Sequence, residues 1–170
     1  MTNQEFKIQV VPLSKKLLRF ATYLLKEQSD AQDIVQEVYV KLWSMRNELD
    51  KYESIEAFAM RITRNKCTDL LRERTRKYAS SIDEVTIKDA SEEEREKAVD
   101  VEESVKRVKE LIRELPDNYR ELITLKDIEG YDFNEISDIL GVNVNTLRVS
   151  LSRARKKLRE LISQRCYETR

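Results

Sequence analysis

Positive charge is concentrated in one short stretch near the C-terminus. Residues 144–159, VNTLRVSLSRARKKLR, contain six basic side chains and no acidic one, although the 170-residue chain balances 32 Lys and Arg against 32 Asp and Glu. Cations at helical spacing can neutralise nucleic-acid phosphates, and the polar side chains between them can reach base edges. The stretch therefore favours nucleic-acid recognition.

Catalysis and metal binding have few candidate residues in this sequence. The chain has no His, and its two cysteines, Cys67 and Cys166, are far apart and form no CxxC pair. A Ser-His-Asp or Cys-His site is therefore impossible within the chain, and the commonest general base and metal ligand is missing. We expect no catalytic residue, no metal, no cofactor and no enzymatic activity.

Helices must position the basic residues, because the composition favours helices throughout. Only two Gly and two Pro occur, 38% of the residues are charged, and strands bounded by turn residues are missing. No apolar run of about 18 residues is present, and the start lacks a basic region followed by an apolar core. We expect an all-α protein in the cytoplasm, without membrane insertion.

Charge divides the chain into three parts. Residues 1–77 carry 15 basic and 11 acidic residues (net +4), residues 78–105 carry 3 and 10 (net −7), and residues 106–170 carry 14 and 11 (net +3). The middle part has few apolar residues at its centre, which is typical of a linker. We expect two small helical domains, 1–77 and 106–170, joined by an acidic linker.

Apolar spacing predicts three helices in the first domain. The first covers residues 6–27, the second is capped by Ser29 or Asp30, and the third is capped by Ser54. In the first helix the predicted apolar positions are Leu13, Leu17, Phe20, Ala21, Leu24 and Leu25. In the second they are Ile34, Val35, Val38, Leu42 and Met45, and the apolar stripe is widened by Tyr39, Val40 and Trp43. In the third they are Ile55, Phe58, Ala59, Ile62, Cys67, Leu70 and Leu71.

The second domain contains four predicted helices. The first covers roughly 93–114 and stops before Pro116, and the next begins at an Asp117 cap and ends at Gly130. Asp132 with Glu135 three residues later is an acidic variant of the capping box that starts the third helix. This helix ends at Gly141, and Asn143 can cap the last one.

The last two helices and the turn GVN between them are typical of a helix-turn-helix. In the last helix one stripe is apolar: Leu147, Leu151, Ala154, Leu158, Leu161 and Ile162. The opposite side carries Asn145, Val149, Ser152, Arg153 and Lys156, flanked by Arg148, Arg155 and Arg159 on one edge and Lys157 on the other. This pattern fits a helix that enters the DNA major groove. A solvated helix with an ordinary basic face is the alternative.

The long third helix ends in a second basic cluster. It contains Arg61, Arg64, Lys66, Arg72, Arg74, Arg76 and Lys77 around Asn65, after the aromatic residues Tyr39, Trp43, Tyr52 and Phe58. Cations that follow a backbone and rings that stack on bases suit single-stranded DNA. The alternative is a solvated helix end whose cations complement the helix dipole, with the aromatic residues in the core.

Three segments together resemble a known family. DAQDIVQEVYVKLW, AFAMRITRNKCTDLLR and LPDNYRELITLKDIEGYDFNEISDILGVNVNTLRVSLSRARKKLREL are similar to bacterial sigma factors of the extracytoplasmic-function (ECF) group of the sigma-70 family. The resemblance covers roughly 10–77 and 105–162. It implies that the first domain binds the clamp helices of RNA polymerase and opens the promoter −10 element, and that the second reads the −35 element.

The resemblance and the helix faces together give three sets of candidate site residues. The polymerase-binding set is Asp33, Gln36, Glu37 and Val40. The −10 set is Asn65, Arg61, Arg64, Lys66 and Arg72, beside the loop NELDKYES, where the family captures a flipped base. The −35 set is Asn145, Thr146, Arg148, Val149, Ser152, Arg153 and Arg155. Val149 departs from the family pattern and predicts contact with a thymine methyl rather than a hydrogen bond.

The resemblance also implies partners: RNA polymerase core, promoter DNA and an anti-sigma protein. We expect a monomer when the protein is alone, with weak promoter binding because its basic patches are small. The acidic linker is expected to enter the RNA exit path of polymerase, or to act only as a solvated tether. Two other functions stay open: a dimeric helix-turn-helix regulator that binds operator DNA without polymerase, and a helical scaffold or inhibitor without DNA contact.

Overall fold

The computed structural model describes residues 1–80 and 100–168, which belong to two compact units. Among the described residues, the N-terminal unit consists of residues 1–80 and 138–141, and the C-terminal unit of residues 100–137 and 142–168. The described residues form helices and turns and contain no strand, which confirms the all-α prediction. Most of the predicted linker, 78–105, lies outside the described residues, and both of its ends are helical. No helix in the described ranges is long and apolar enough to cross a membrane.

The N-terminal unit contains four α-helices rather than the three predicted. They are α1 (Asn3–Gln9), α2 (Ser14–Leu25), α3 (Gln28–Ser44) and α4 (Ile55–Ser80), with 3-10 turns at Val11–Leu13 and Arg46–Lys51. The prediction of one helix over residues 6–27 was wrong. Pro12 has no N–H to donate and its ring would clash with the preceding helical turn, so the chain passes through a 3-10 turn before it continues as α2.

Caps explain where the later helices of this unit begin. The Ser54 hydroxyl accepts a hydrogen bond from the Ala57 N–H at 3.1 Å, which confirms the predicted start of α4. The predicted caps of α3 were wrong: Glu27 occupies the N-cap position without a side-chain cap, the Ser29 hydroxyl donates to the Glu27 carboxylate, and Asp30 binds Arg74. Polar side chains close to a helix start can thus bind other side chains instead of capping the helix, and the sequence does not show which they do.

The core of the N-terminal unit lies between α2, α3 and α4. All six positions predicted for the first helix are buried, as are Ile34, Val35, Val38 and Leu42 on α3 and Ala59, Ile62 and Cys67 on α4. Two predicted positions are wrong, because Val40 and Trp43 are 70% and 41% exposed. The Trp43 ring meets Phe6 edge-on at 5.0 Å, whereas Val40 points outward from the packed face.

Tyr39 joins α3 to the end of α1. Its hydroxyl lies 3.0 Å from the carbonyl oxygens of both Val10 and Val11, which also accept the backbone N–H groups of Leu13 and Ser14. Burial raises the pKa of Tyr39. The contact ties α3 to the 3-10 turn that contains Pro12.

The described chain from residue 100 onward forms the four predicted helices. They are α5 (Asp100–Glu114), α6 (Asp117–Ile123), α7 (Phe133–Leu140) and α8 (Val144–Glu168). A π turn, Thr124–Ile128, extends α6, and within it the Glu129 N–H donates to the Thr124 carbonyl five residues earlier. The part of the first predicted helix before Asp100 lies outside the described residues.

The turn between α5 and α6 is held by a buried arginine. Arg120 is 2% exposed and donates to the carbonyl oxygens of Arg113 and Leu115 at 3.1 and 2.9 Å and to the Asp117 carboxylate at 2.5 Å. The prediction that Asp117 caps α6 was therefore wrong, because Pro116 is the N-cap residue and Asp117 instead pairs with the guanidinium.

The caps predicted around α7 are confirmed. The Asp132 carboxylate accepts from the N–H groups of Asn134 and Glu135 at 2.8 and 2.9 Å, and the Glu135 carboxylate accepts from the Asp132 N–H at 2.8 Å. Both directions of a capping box are thus formed. Gly130 and Gly141 have φ angles of +78° and +69°, which a side chain would strain.

Candidate DNA-reading and partner-binding surfaces

The start of α8 forms an exposed surface after a well-defined turn. The Asn143 side-chain oxygen accepts from the Asn145 N–H at 2.8 Å and fixes the first turn of the helix. Leu147, Leu151 and Ala154 are buried, and the residues of the opposite side are exposed: Asn145, Thr146, Val149, Ser152, Arg153 and Lys156. The predicted faces of this helix are therefore confirmed. Val149, 52% exposed, lies among them.

The cations of α8 fall into two groups. Arg148, Arg153, Lys156 and Arg159 are exposed and have no carboxylate within ion-pair distance among the described residues. Three others are paired with acids: Arg155 with Asp127, Lys157 with Glu160, and Arg165 with Glu114. The group without a carboxylate partner is available to an external anion.

Arg155, a predicted −35 residue, is engaged within the protein. Its Nε and Nη2 atoms donate to the two oxygens of Asp127 at 3.0 and 2.5 Å, and this hydrogen bonding raises the pKa of Arg155. Bidentate geometry uses the fork of the guanidinium and fixes its direction. The pair joins α8 to the π turn. Helical spacing could not indicate this contact, because Asp127 and Arg155 are far apart in sequence.

Phe133, the first residue of α7, lies beside two cations. The Lys126 Nζ atom and the Arg148 guanidinium lie 5.0 and 5.5 Å from the centre of its ring. The Lys126 ammonium also donates to the Tyr131 carbonyl at 3.0 Å. Phe133 is half-buried beside the −35 candidate Arg148.

The −10 candidates lie along the middle of α4. Asn65, Arg61 and Arg72 are exposed, and Arg64 and Lys66 are half-buried. The Arg61 guanidinium lies 5.4 Å from the Phe58 ring centre, and Phe58 stacks on Tyr52 with ring centroids 3.7 Å apart. Arg61 and Phe58 on α4 and Tyr52 in the loop NELDKYES thus form one cluster of a cation and two stacked rings.

Two of the predicted surfaces meet at one ion pair. Lys66 on α4 donates to the Glu37 carboxylate on α3 at 2.5 Å, so a −10 candidate and a polymerase-binding candidate are bonded to each other. A second ion pair, Arg74 with Asp30, joins the same two helices at 2.5 Å. The sequence did not indicate either pair.

The polymerase-binding candidates share one exposed side of α3. Asp33, Gln36, Glu37 and Val40 are all exposed, and their spacing places them on neighbouring turns of one helix face. Trp43 is exposed as well and lies three residues after Val40. Sequence reasoning assigned Val40 and Trp43 to a widened core stripe. The exposed Gln36 and Glu37 lie one turn before Val40 on this face, and Asp33 lies two turns before it.

The described residues offer no obvious metal centre. No group of three or more His, Cys, Asp and Glu side chains that could hold an ion occurs in residues 1–80 and 100–168. Cys67 is a buried thiol in α4.

Comparison with known proteins finds two family models in this chain. The model for sigma-70 region 2 matches residues 10–77, and the model for sigma-70 region 4 matches residues 106–158. The two matches include all three sets of candidate site residues.

Individual relatives agree with the family models. The chain is 30% identical over 141 residues to the RNA polymerase sigma factor SigV of Bacillus subtilis, covering 83% of this chain and 81% of that protein. It is 26% identical over 151 residues to the ECF RNA polymerase sigma factor SigM of the same organism, covering 86% of this chain and 88% of that one.

A solved structure has the same fold. The sigma factor RpoE from Bartonella quintana, crystallised in complex with the anti-sigma factor NepR, superposes with a TM-score of 0.78 at 24% identity, over 94% of this chain and 98% of that one. From the two family models and these relatives, the chain belongs to the ECF group of the sigma-70 family of bacterial RNA polymerase sigma factors.

Proposed function

We propose that this protein binds RNA polymerase core in the cytoplasm and directs promoter-specific transcription initiation without being an enzyme itself. In this function the N-terminal unit opens the −10 element and the C-terminal unit reads the −35 element. The domain limits that we propose are 1–77 and 106–170, with the acidic segment 78–105 between them. The observation that carries the proposal is the exposed start of α8, which combines a small polar centre with unpaired cations.

Reading of the −35 element fits the side chains at the start of α8. Asn145, Thr146 and Ser152 offer donors and acceptors to base edges, and Val149 offers only apolar surface, which suits a thymine methyl. Arg148 and Arg153 supply charge for phosphates or bidentate contacts with guanine. Arg155 already binds Asp127, so its contribution is to hold α8 in place.

Opening of the −10 element fits α4 and the adjacent loop. Asn65 carries both a donor and an acceptor for the edge of an extruded base. Arg61, Arg64 and Arg72 lie along the same helix and can follow the single-stranded backbone. Extruding a base costs a few kcal/mol, which these contacts must offset.

Polymerase binding fits the exposed side of α3. Asp33 and Glu37 offer negative charge and Val40 offers apolar surface, with Gln36 between them. Charge at the edge of such a surface steers the encounter, while the desolvated apolar centre contributes more to affinity. Trp43 is an addition to this set, since aromatic residues are enriched in protein interfaces.

An anti-sigma protein is the second protein partner that we propose. The solved relative with the same fold is a sigma factor in complex with an anti-sigma factor. The acidic segment is proposed to enter the RNA exit path of polymerase, where its net charge of −7 would meet a basic channel. Alone, the protein is proposed to be monomeric and to bind promoter DNA weakly.

The function is tested by transcription with purified RNA polymerase core on a promoter library, with and without this protein. We expect new start sites that require both components, and alignment of their upstream sequences should give the −10 and −35 preferences. A shifted duplex with the protein alone and no new start sites would instead favour the dimeric regulator. No observation on the structure favours that regulator or the scaffold.

A further inference from the structure

The acids that adjoin Lys126 and Phe133 in sequence bind other partners. Asp127 follows Lys126 in sequence but binds Arg155, and Asp132 precedes Phe133 but caps α7. Lys126 and Arg148 therefore have no carboxylate partner in the described residues, although both lie beside one ring. The fold holds two positive charges close together and leaves both uncompensated.

The backbone that carries the ring is held by hydrogen bonds. Phe133 is the first residue of α7, and the reciprocal hydrogen bonds of Asp132 and Glu135 define the backbone on either side of it. The face of an aromatic ring attracts cations through its quadrupole and favours particular directions without neutralising them. The Tyr131 carbonyl adds a further restraint on the Lys126 ammonium.

We propose that Phe133 is a positioning residue for DNA binding, and that Lys126, together with Arg148, contacts the phosphate backbone at the −35 element. The inference rests on the proposed function of α8. A cation that is already oriented by the ring loses less side-chain freedom on binding an anion than a cation whose side chain is unrestrained. Lys126 thereby extends the DNA-binding surface from α8 to the π turn of Thr124–Ile128.

The test uses holoenzyme assembled from RNA polymerase core and the full chain, with promoter affinity measured over a range of salt concentrations. Lys126→Gln should reduce the slope of the logarithm of the binding constant against the logarithm of the salt concentration by about 0.9, the value for one lost phosphate contact. The base preference at the −35 element should stay the same, because a phosphate contact carries no sequence information. Lys109→Gln, an exposed charge on α5, is the matched control and should leave the salt dependence unchanged.

Two changes at the ring separate positioning from packing. Phe133→Leu keeps apolar bulk but removes the quadrupole, and should weaken promoter binding by about two- to fivefold. Phe133→Tyr keeps the ring and should restore the affinity. In the double variant with Lys126→Gln, the loss should be smaller than the product of the two single losses, because both changes remove one contact.

The outcome that overturns this inference is a Lys126→Gln holoenzyme with the salt dependence of the unchanged protein. If the unchanged protein directs no transcription with core polymerase, the proposed function itself fails. The two failures are therefore distinguishable, and a folding defect in Phe133→Leu cannot hide the result, since Lys126 is a partly exposed side chain.

Discussion

At the scale of single residues, the partners of a cation decide what it can bind. Arg153 and Arg155 are two residues apart on α8 and both are exposed, but Arg155 donates two hydrogen bonds to Asp127 whereas Arg153 has no acidic partner in the described part of the chain. A guanidinium bound to a carboxylate has fewer free donors and a partly offset charge, so it attracts a phosphate less strongly. The two residues should therefore differ in their effect on DNA binding.

We predict that Arg153→Gln reduces the steepness of the salt dependence of promoter binding by about 0.9, while Arg155→Gln changes it little. Arg155→Gln should instead lower the free energy of unfolding by up to about 1 kcal/mol, as expected for a partly exposed ion pair. Holoenzyme binding across salt and urea unfolding of the full chain measure the two effects. Equal changes in salt dependence for both variants would show that Arg155 contacts DNA as Arg153 does, which would contradict this prediction.

The sequence could indicate the candidate cations but not their partners. Helical spacing placed Arg148, Arg153 and Arg155 on the outside of α8, as the structure has them. The acid that binds Arg155 lies in a different element, and its position depends on how α6 ends and α7 begins. Pairing across elements is a property of tertiary packing, which one-dimensional periodicity does not contain.

At the scale of elements, α7 depends on its first turn. It is only eight residues long, and short helices are marginal without caps or packing. Asp132 accepts two backbone hydrogen bonds there and Glu135 returns one. These three bonds fix the helix that precedes the DNA-reading helix.

We predict that Asp132→Ala lowers the stability of the C-terminal unit by about 1 kcal/mol. Hydrogen exchange of the full chain should show faster exchange of the Asn134 and Glu135 amides, which lose their acceptor. Asp138→Ala is the matched control, because this exposed acid lies near the other end of α7 and caps nothing there. Equal acceleration in both variants would mean that general loss of charge, rather than the cap, is responsible.

Local chemistry predicted some helix ends and missed others for identifiable reasons. The Ser54, Asp132 and Asn143 caps followed from residue type and spacing. Asp117 and Asp30 have equally suitable side chains, but arginines bind both of them instead. The break at Pro12 was available from sequence, since proline inside an apolar helical pattern argues for an end or a kink.

At the scale of the whole molecule, the surfaces proposed for polymerase and for DNA are not independent. Glu37 and Lys66 belong to different proposed surfaces and bind each other in the N-terminal unit. An external ligand of either residue must compete with this bond for the charge and for part of the hydrogen-bonding capacity of the side chain. The ion pair therefore links the two binding events.

We predict that Lys66→Gln raises the affinity for RNA polymerase core, in the absence of DNA, by up to about fivefold, because Glu37 no longer has a partner to give up. Arg74→Gln breaks the other ion pair between α3 and α4, which involves no proposed polymerase contact, and should have no such effect. Fluorescence anisotropy of labelled protein titrated with core measures both. A lower affinity for Lys66→Gln would contradict the idea that the two events compete.

The division into two helical units was predictable because charge and helix-forming composition change along the chain on a scale longer than any one helix. The helix-turn-helix could be located because glycine, caps and apolar stripe coincide within residues 130–158. The outward direction of Val40 and Trp43 was not predictable in the same way. An apolar residue at an interface and one in the core have the same periodicity, and only the packing of α3 separates them.

The π turn at Thr124–Ile128 has a consequence for chain length. It holds one residue more than a regular helical turn, so a relative with one residue fewer between Arg120 and Gly130 could close a regular α-helix there. Four residues of a regular helix turn through about the same angle as the five of a π turn, so the side chains after the deletion would keep their directions. In an alignment, a one-residue gap at this place would therefore indicate that the π turn is absent while the helices on either side keep their faces.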